Sequence, residues 1–162
     1  MRRYYLAYGS NLNVGQMKFR CPTARIIGTS VIKDYELLFK GSKTGSYLTI
    51  EKKKGARVPV AVWETQESDE LALDRYEGCP QFYYKTEMIV PIKGIKSKKT
   101  RIRKAYVYIM HEERELGIPS KHYLGTCLEG YLRFGFNPYY LVEAINRSKN
   151  GRIENEEGNK YY

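Results

Sequence analysis

Histidine is almost absent from this chain, and what little there is does not cluster. The only two, His111 and His122, stand at the end of one element and the start of another, with no Ser or Cys motif beside either. A serine or cysteine nucleophile activated by histidine is therefore hard to assemble. The three cysteines, Cys21, Cys79 and Cys127, are an odd and widely spaced set without a CxxC or CxxH pair. That spacing excludes a recognisable zinc ribbon or redox centre and reads as reduced structural thiols. No apolar run approaches the roughly 20 residues of a membrane helix, and Arg2 and Arg3 are followed by too short an apolar stretch for a signal peptide. The expectation is a cytoplasmic protein with no membrane partner. The turn at Gly9 has one glycine and no G-K-[ST], so it is not a Walker loop, and no His, Asp and Glu set has metal-ligand spacing.

Acidic residues are also the minority: 18 Asp and Glu against 28 Lys and Arg, a formal net charge of +10. Much of the excess lies in "KKK" at 52–54 and "KGIKSKKTRIRK" at 93–104, each flanked by strand-like sequence. These read as hairpin tips and solvated strand faces. Without an accompanying nucleic-acid motif they argue against a nucleic-acid partner. A length of 162 residues suits one domain. The reading is a single domain over 1–148, with a helical extension at about 126–148, and a loose polar tail over 149–162; docking of Tyr161 and Tyr162 on the body is the lesser alternative. The sequence leaves room for a homodimer.

What is present is mostly strand-forming. Residues 3–8 read as a strand, and Asn13 as the cap of a short helix ending near Arg20 before Cys21-Pro22. Stretches 25–40, 46–51 and 58–64 read as antiparallel strands, with Val58, Val60 and Val62 on one face. Ser68 is the expected cap of a helix that stops at Gly78, with Asp69 and Glu70 in its first turn. Strands follow at about 83–92 and 100–110, the second with Ile102, Lys104, Tyr106 and Tyr108 on one side of the pleat. Ser120 caps a helix with apolar positions Tyr123, Leu124, Cys127, Leu128, Tyr131 and Leu132. Asn137-Pro138 starts another with Tyr140, Leu141, Ala144 and Ile145 inward. This order, without regular βαβ alternation, indicates an α+β domain: a small, mostly antiparallel, barrel-like sheet flanked by helices.

Two segments carry chemistry. "YLAYGSNL" brings a strand into a Gly-Ser-Asn turn ahead of a helix, and such a turn exposes backbone N–H groups to an anion or oxyanion. Read locally, the same residues suit somewhat better a tight turn in which Ser10 or Asn11 satisfies its own main chain. "LDRYEGCP" delivers Glu77 at a helix C-terminus among Tyr76, Phe82 and Tyr83. The negative helix end and desolvation both raise a carboxyl pKa there, which suits proton transfer near neutrality. The alternative is a surface acid paired with Lys85 or Arg75.

With "LDRYEGCPQFYYK", the "KAYVYIM" strand and "PSKHY" in the same order, residues 4–125 resemble the gamma-glutamylcyclotransferase-like (avirulence-induced-gene-like) family. The resemblance implies a small barrel fold and intramolecular aminolysis. A γ-glutamyl amide closes to 5-oxoproline and releases an amino acid, peptide or amine, with no cofactor and no metal. It implies Glu77 as general acid/base, Tyr8, Gly9, Ser10, Asn11 and Leu12 as the binding loop, and Tyr123 as a substrate contact. Tyr83 or Tyr84, and Tyr106 or Tyr108, would line the pocket. A small γ-glutamyl molecule is the implied partner. The other reading is a binding module that keeps the pocket for an anionic ligand or partner without turnover.

Overall fold

The structure, a computed structural model, describes residues 2–42 and 45–159. Its elements run β1 (Arg3–Ala7), a 3-10 turn (Ser10–Leu12), α1 (Val14–Arg20), β2 (Arg25–Ser42), β3 (Gly45–Thr65) and α2 (Glu67–Tyr76). They continue with β4 (Tyr83–Gly94), β5 (Thr100–Met110), β6 (Glu115–Leu116), α3 (Lys121–Arg133) and α4 (Tyr139–Asn159). Strands pair in the order β3-β1-β5-β4-β2, and β2 also pairs β3, so five strands close into a barrel while β6 adds to β2. The β1–β5 pair is parallel and the rest are antiparallel. The α+β barrel read from the sequence is therefore present, as a closed mixed barrel with four helices around it.

Closure explains the burial pattern. Once a barrel is sealed, a strand covered on its outer face by helices loses the alternation of an open sheet. From Ala105 to Met110 every residue of β5 is buried, and so is every residue from Val58 to Val62 of β3. The core joins Leu6, Phe39, Ile50, Val60, Leu73 and Tyr106, none more than 1% exposed. No helix among the described residues is long and apolar enough to cross a membrane.

Several expected ends hold. Asn13 caps α1 by accepting from the Gln16 N–H, and Ser120 caps α3 by accepting from the Tyr123 N–H. Others are corrected. Gln66, not Ser68, is the N-cap of α2, because the Asp69 carboxylate turns back to accept from the Gln66 N–H at 2.9 Å. The lysines at 52–54 lie within β3 as an exposed face and not at a tip. The extra length there is taken up as a bulge between Lys33 and Tyr35, with Asp34 at φ 61° and Gly55 at φ 85°. Residues 95–98 do form the tip of the β4–β5 hairpin. On α3, Leu128 and Leu132 are exposed while Cys127, Gly130 and Tyr131 are buried, so the packed stripe is narrower than the apolar spacing implied. In the segment read as a polar tail, residues 149–159 continue α4, and Tyr161 and Tyr162 lie outside the described residues.

Two long-range features set the site. Gly130 of α3 lies against the 3-10 turn so closely that a Cβ there would sit 2.5 Å from Leu12 Cβ and 2.7 Å from its carbonyl carbon. Helix α4 covers β2 beyond its pairing with β4. Arg147 donates to the Leu37 carbonyl from Nε (3.1 Å) and Nη2 (2.9 Å), and the buried Ser148 hydroxyl accepts from the Phe39 N–H at 2.9 Å. Main-chain groups that a neighbouring strand would have satisfied are satisfied by a helix.

Candidate active site

Residue Glu77 sits at the C-cap of α2, and the backbone beyond it is tightly determined. Gly78 N–H bonds to the Arg75 carbonyl and Cys79 N–H to the Asp74 carbonyl, the two bonds of a Schellman ending. That ending requires the left-handed region at Gly78 (φ 60°), which glycine enters without a Cβ clash. The motif "EGC" thus halts the helix and fixes where the Glu77 side chain departs.

It departs into a cavity of about 440 Å³ at one end of the barrel. This cavity is lined by Tyr8, Gly9, Ser10 and Asn11, by Tyr76, Glu77 and Gly78, and by Tyr83, Tyr108 and Tyr123. The cavity therefore brings together Tyr8, Gly9, Ser10 and Asn11 from the segment after β1, Glu77 from the end of α2 and Tyr123 from α3. It chooses Tyr83 over Tyr84 and Tyr108 over Tyr106. Tyr84 points elsewhere and bonds Glu112, and Tyr106 bonds Thr65 at 2.7 Å. Leu12 is not part of the wall. It is fully buried beneath Gly130, and its N–H is taken by the Gly9 carbonyl at 3.0 Å.

The loop offers donors. As the opening of a 3-10 turn, Ser10 and Asn11 have N–H groups with no intrahelical acceptor, and among the described residues no protein acceptor takes them. Its position is held from below and behind. Trp63 Nε1 donates to the Asn11 carbonyl at 3.2 Å, and Tyr131 donates to the Tyr8 carbonyl at 3.2 Å. The Tyr8 hydroxyl donates to the Tyr108 carbonyl at 2.6 Å, which ties the loop's first residue to β5. The Ser10 hydroxyl meets the Tyr76 hydroxyl, also of the cavity lining, at 3.1 Å.

Burial pushes the Glu77 carboxyl up to about 7, and the Arg20 charge opposes that rise. No cation lies within 4 Å of it among the described residues. The closest polar contact is the Asn11 amide, whose Nδ2 is 3.4 Å from Glu77 Oε1 and donates to the Tyr5 hydroxyl at 2.9 Å. The alternative pairing of Glu77 with Lys85 does not occur: Lys85 is held by Glu70 and Asp74, each at 3.0 Å. Burial first, and then the nearby Glu77 carboxylate, hold the Tyr5 and Tyr8 hydroxyls well above their ordinary pKa, so both stay neutral.

Sequence reasoning missed Tyr5, Tyr47 and Leu48 as wall residues, and it took Tyr76 and Phe82 only as apolar surroundings of Glu77. The Leu48 backbone is a fixed point of the wall. Its N–H donates to the Tyr123 hydroxyl (3.0 Å) and its carbonyl accepts from Tyr83 (2.7 Å). Tyr47 packs edge-on to Tyr123 and to Phe82, with centroids 5.1 and 6.3 Å apart. No motif marks these positions, although the pleat would have paired them: Tyr47 and Leu48 oppose Lys40 and Phe39 in the β2–β3 register. Among the described residues there is no group of three or more His, Cys, Asp or Glu placed to hold a metal ion.

Comparison with known proteins bears on the family and the fold. The family model described as gamma-glutamyl cyclotransferase, AIG2-like, matches residues 5–125. A curated gamma-glutamylcyclotransferase of Bos taurus is 34% identical over 96 residues, covering 55% of this chain and 48% of that protein. The match thus spans about half the length of that relative. A solved structure titled gamma-glutamyl cyclotransferase superposes with a TM-score of 0.73 at 24% identity, over 89% of this chain and 86% of that one. An uncharacterized protein from Homo sapiens gives 0.72 at 25% identity, over 88% and 86%. YkqA from Bacillus subtilis gives 0.71 at 16% identity, over 91% of this chain and 54% of that one.

Proposed function

This chain belongs to the gamma-glutamyl cyclotransferase, AIG2-like family, and from that premise we propose that it is an enzyme converting a γ-glutamyl amide to 5-oxoproline and a free amine. The α-amino nitrogen of the substrate attacks its own γ-carbonyl carbon. A C–N bond forms, the carbonyl oxygen becomes an oxyanion, and the attacking nitrogen gives a proton to the Glu77 carboxylate. Collapse reforms the carbonyl, breaks the original amide bond and sends the Glu77 proton to the departing nitrogen. Atoms and protons balance without any further reactant.

The observation that carries this reading is the Glu77 carboxyl, poised near 7 by burial and facing a loop with unclaimed N–H groups. A base and acid in one needs a pKa close to the working pH, and such a group contributes roughly 10²–10⁴-fold. The N–H groups of Ser10 and Asn11 suit a substrate carboxylate or the oxyanion. Five-membered ring closure is otherwise a positioning task, which an aromatic wall of Tyr8, Tyr83 and Tyr123 performs by restricting the γ-glutamyl chain. The released group leaves past Tyr47 and Tyr76, lining residues that are also exposed to solvent.

The test is to incubate the wild type and Glu77→Gln with γ-glutamyl dipeptides, γ-glutamyl amines and ε-(γ-glutamyl)-lysine and to measure 5-oxoproline. Product from at least one substrate with wild type and none with the variant is expected. No product from any of them moves the reading to a ligand-binding module.

A further inference from the structure

The motif "RCP" closes α1 without entering the cavity wall, yet its arginine reaches both sides of the site. Arg20 Nη1 donates to Asn11 Oδ1, its Nη2 donates to Gln16 Oε1 at 3.2 Å, and its guanidinium carbon lies 3.3 Å from the centroid of the Tyr76 ring. No carboxylate lies within 4 Å of it among the described residues.

We propose that Arg20 is a positioning residue for the Glu77 carboxyl, acting through the Asn11 amide and the Tyr76 ring. The inference rests on the cyclotransferase reading for the role of Glu77. An amide has one accepting end and one donating end. With Oδ1 claimed by Arg20, the Asn11 NH₂ must face Tyr5 and Glu77, as it does. The reverse orientation would aim a carbonyl oxygen at a carboxylate and an NH₂ at a guanidinium. Arg20 thereby decides that the group nearest to Glu77 is a donor. Stacking on Tyr76, the residue just before Glu77, clamps the end of α2 against the end of α1.

Arg20 also supplies the charge that opposes burial at Glu77. The other titratable groups acting there are Tyr5 and Tyr8 from the β1 end, Cys79 from the turn after α2, Tyr83 from β4 and Tyr123 from α3, all held neutral by burial. Arg75 on α2 lines the same cavity. Losing the Arg20 charge therefore shifts the ionisation of Glu77 to higher pH.

The experiment follows the Glu77 carboxyl by ¹³C chemical shift against pH, and in parallel the pH profile of kcat/KM, in wild type, Arg20→Gln and Arg20→Lys. In Arg20→Gln the midpoint and the rising limb of the profile move up by about half a pH unit or more, and kcat falls about tenfold. Arg20→Lys keeps the charge and holds the midpoint, but it lacks the planar fork and still loses kcat. A folded Arg20→Gln with an unmoved Glu77 midpoint overturns the proposal, as does Arg20→Lys with wild-type kcat. Because the carboxyl titration needs no turnover, an inactive wild type counts against the cyclotransferase reading and leaves the positioning claim to be judged by the titration.

Discussion

Residues Tyr5–Asn11 and residues 126–148 meet at one place and contribute opposite things to it. The first segment lies inside the family-matched stretch, lines the cavity and presents polar groups to it. The second lies beyond that stretch and contributes no side chain to the cavity wall. Yet it sets the first one's position: Gly130 sits against Leu12, Tyr131 bonds the Tyr8 carbonyl, and Asn13 reaches across to Glu129 (2.8 Å) and to the Thr126 carbonyl (3.3 Å). Chemistry in this fold is local, while its placement is borrowed from a distant helix. A loop of small residues with unused N–H groups cannot hold its own shape, so something large and rigid must hold it.

The comparison breaks most sharply at Glu77. Glu77→Gln should lower 5-oxoproline formation by at least about 10³-fold, within the range of general acid–base contributions, with unchanged circular dichroism. A variant retaining near-normal rates would remove the chemical half of the contrast.

Next in size is the supporting half. Gly130→Val places atoms where Leu12 already stands, and overpacking of this kind costs about 1–3 kcal/mol. The turn must shift, so kcat/KM should fall about 10²-fold although no cavity residue has changed. Normal kinetics in a folded Gly130→Val protein would show that the helix is mere scaffolding.

Glu77→Gln should also separate chemistry from stability. The folded pKa of Glu77, about 7, is raised above the ordinary 4.5, so the fold favours the protonated form and loses stability as pH rises from about 4.5 through 7. Glutamine carries no such penalty. The variant should match wild type near pH 4 and exceed it at pH 9, by up to about 3 kcal/mol. Thermal melts at the two pH values check this, and equal differences at both would refute it. The smallest effect is expected for Tyr131→Phe, which removes the hydroxyl bond to the Tyr8 carbonyl. That costs about 1 kcal/mol and raises KM more than it lowers kcat, as read from steady-state kinetics beside a denaturant curve.

Sequence reasoning reached the short-range parts of this architecture and missed those made by packing. Asn13 and Ser120 were legible as caps because a cap bond spans three residues. Ser68 was misread because Gln66 and Asp69 offered a reciprocal alternative two residues earlier. Leu12 belonged to a motif and so looked like a contact, but its side chain faces α3. Tyr5, Tyr47 and Leu48 carry no motif, and they enter the wall only because the β2–β3 ladder and barrel closure bring them there.

By itself the sequence determined where α2 stops and that a glutamate stands at its end, since a glycine two residues before a proline permits little else. It likewise determined that a small-residue turn follows β1. Only the tertiary structure decided what the glutamate is. Desolvation belongs to no residue: it comes from β1, β3, β4, α2 and α3 closing around one carboxyl, while α1 supplies the one opposing charge.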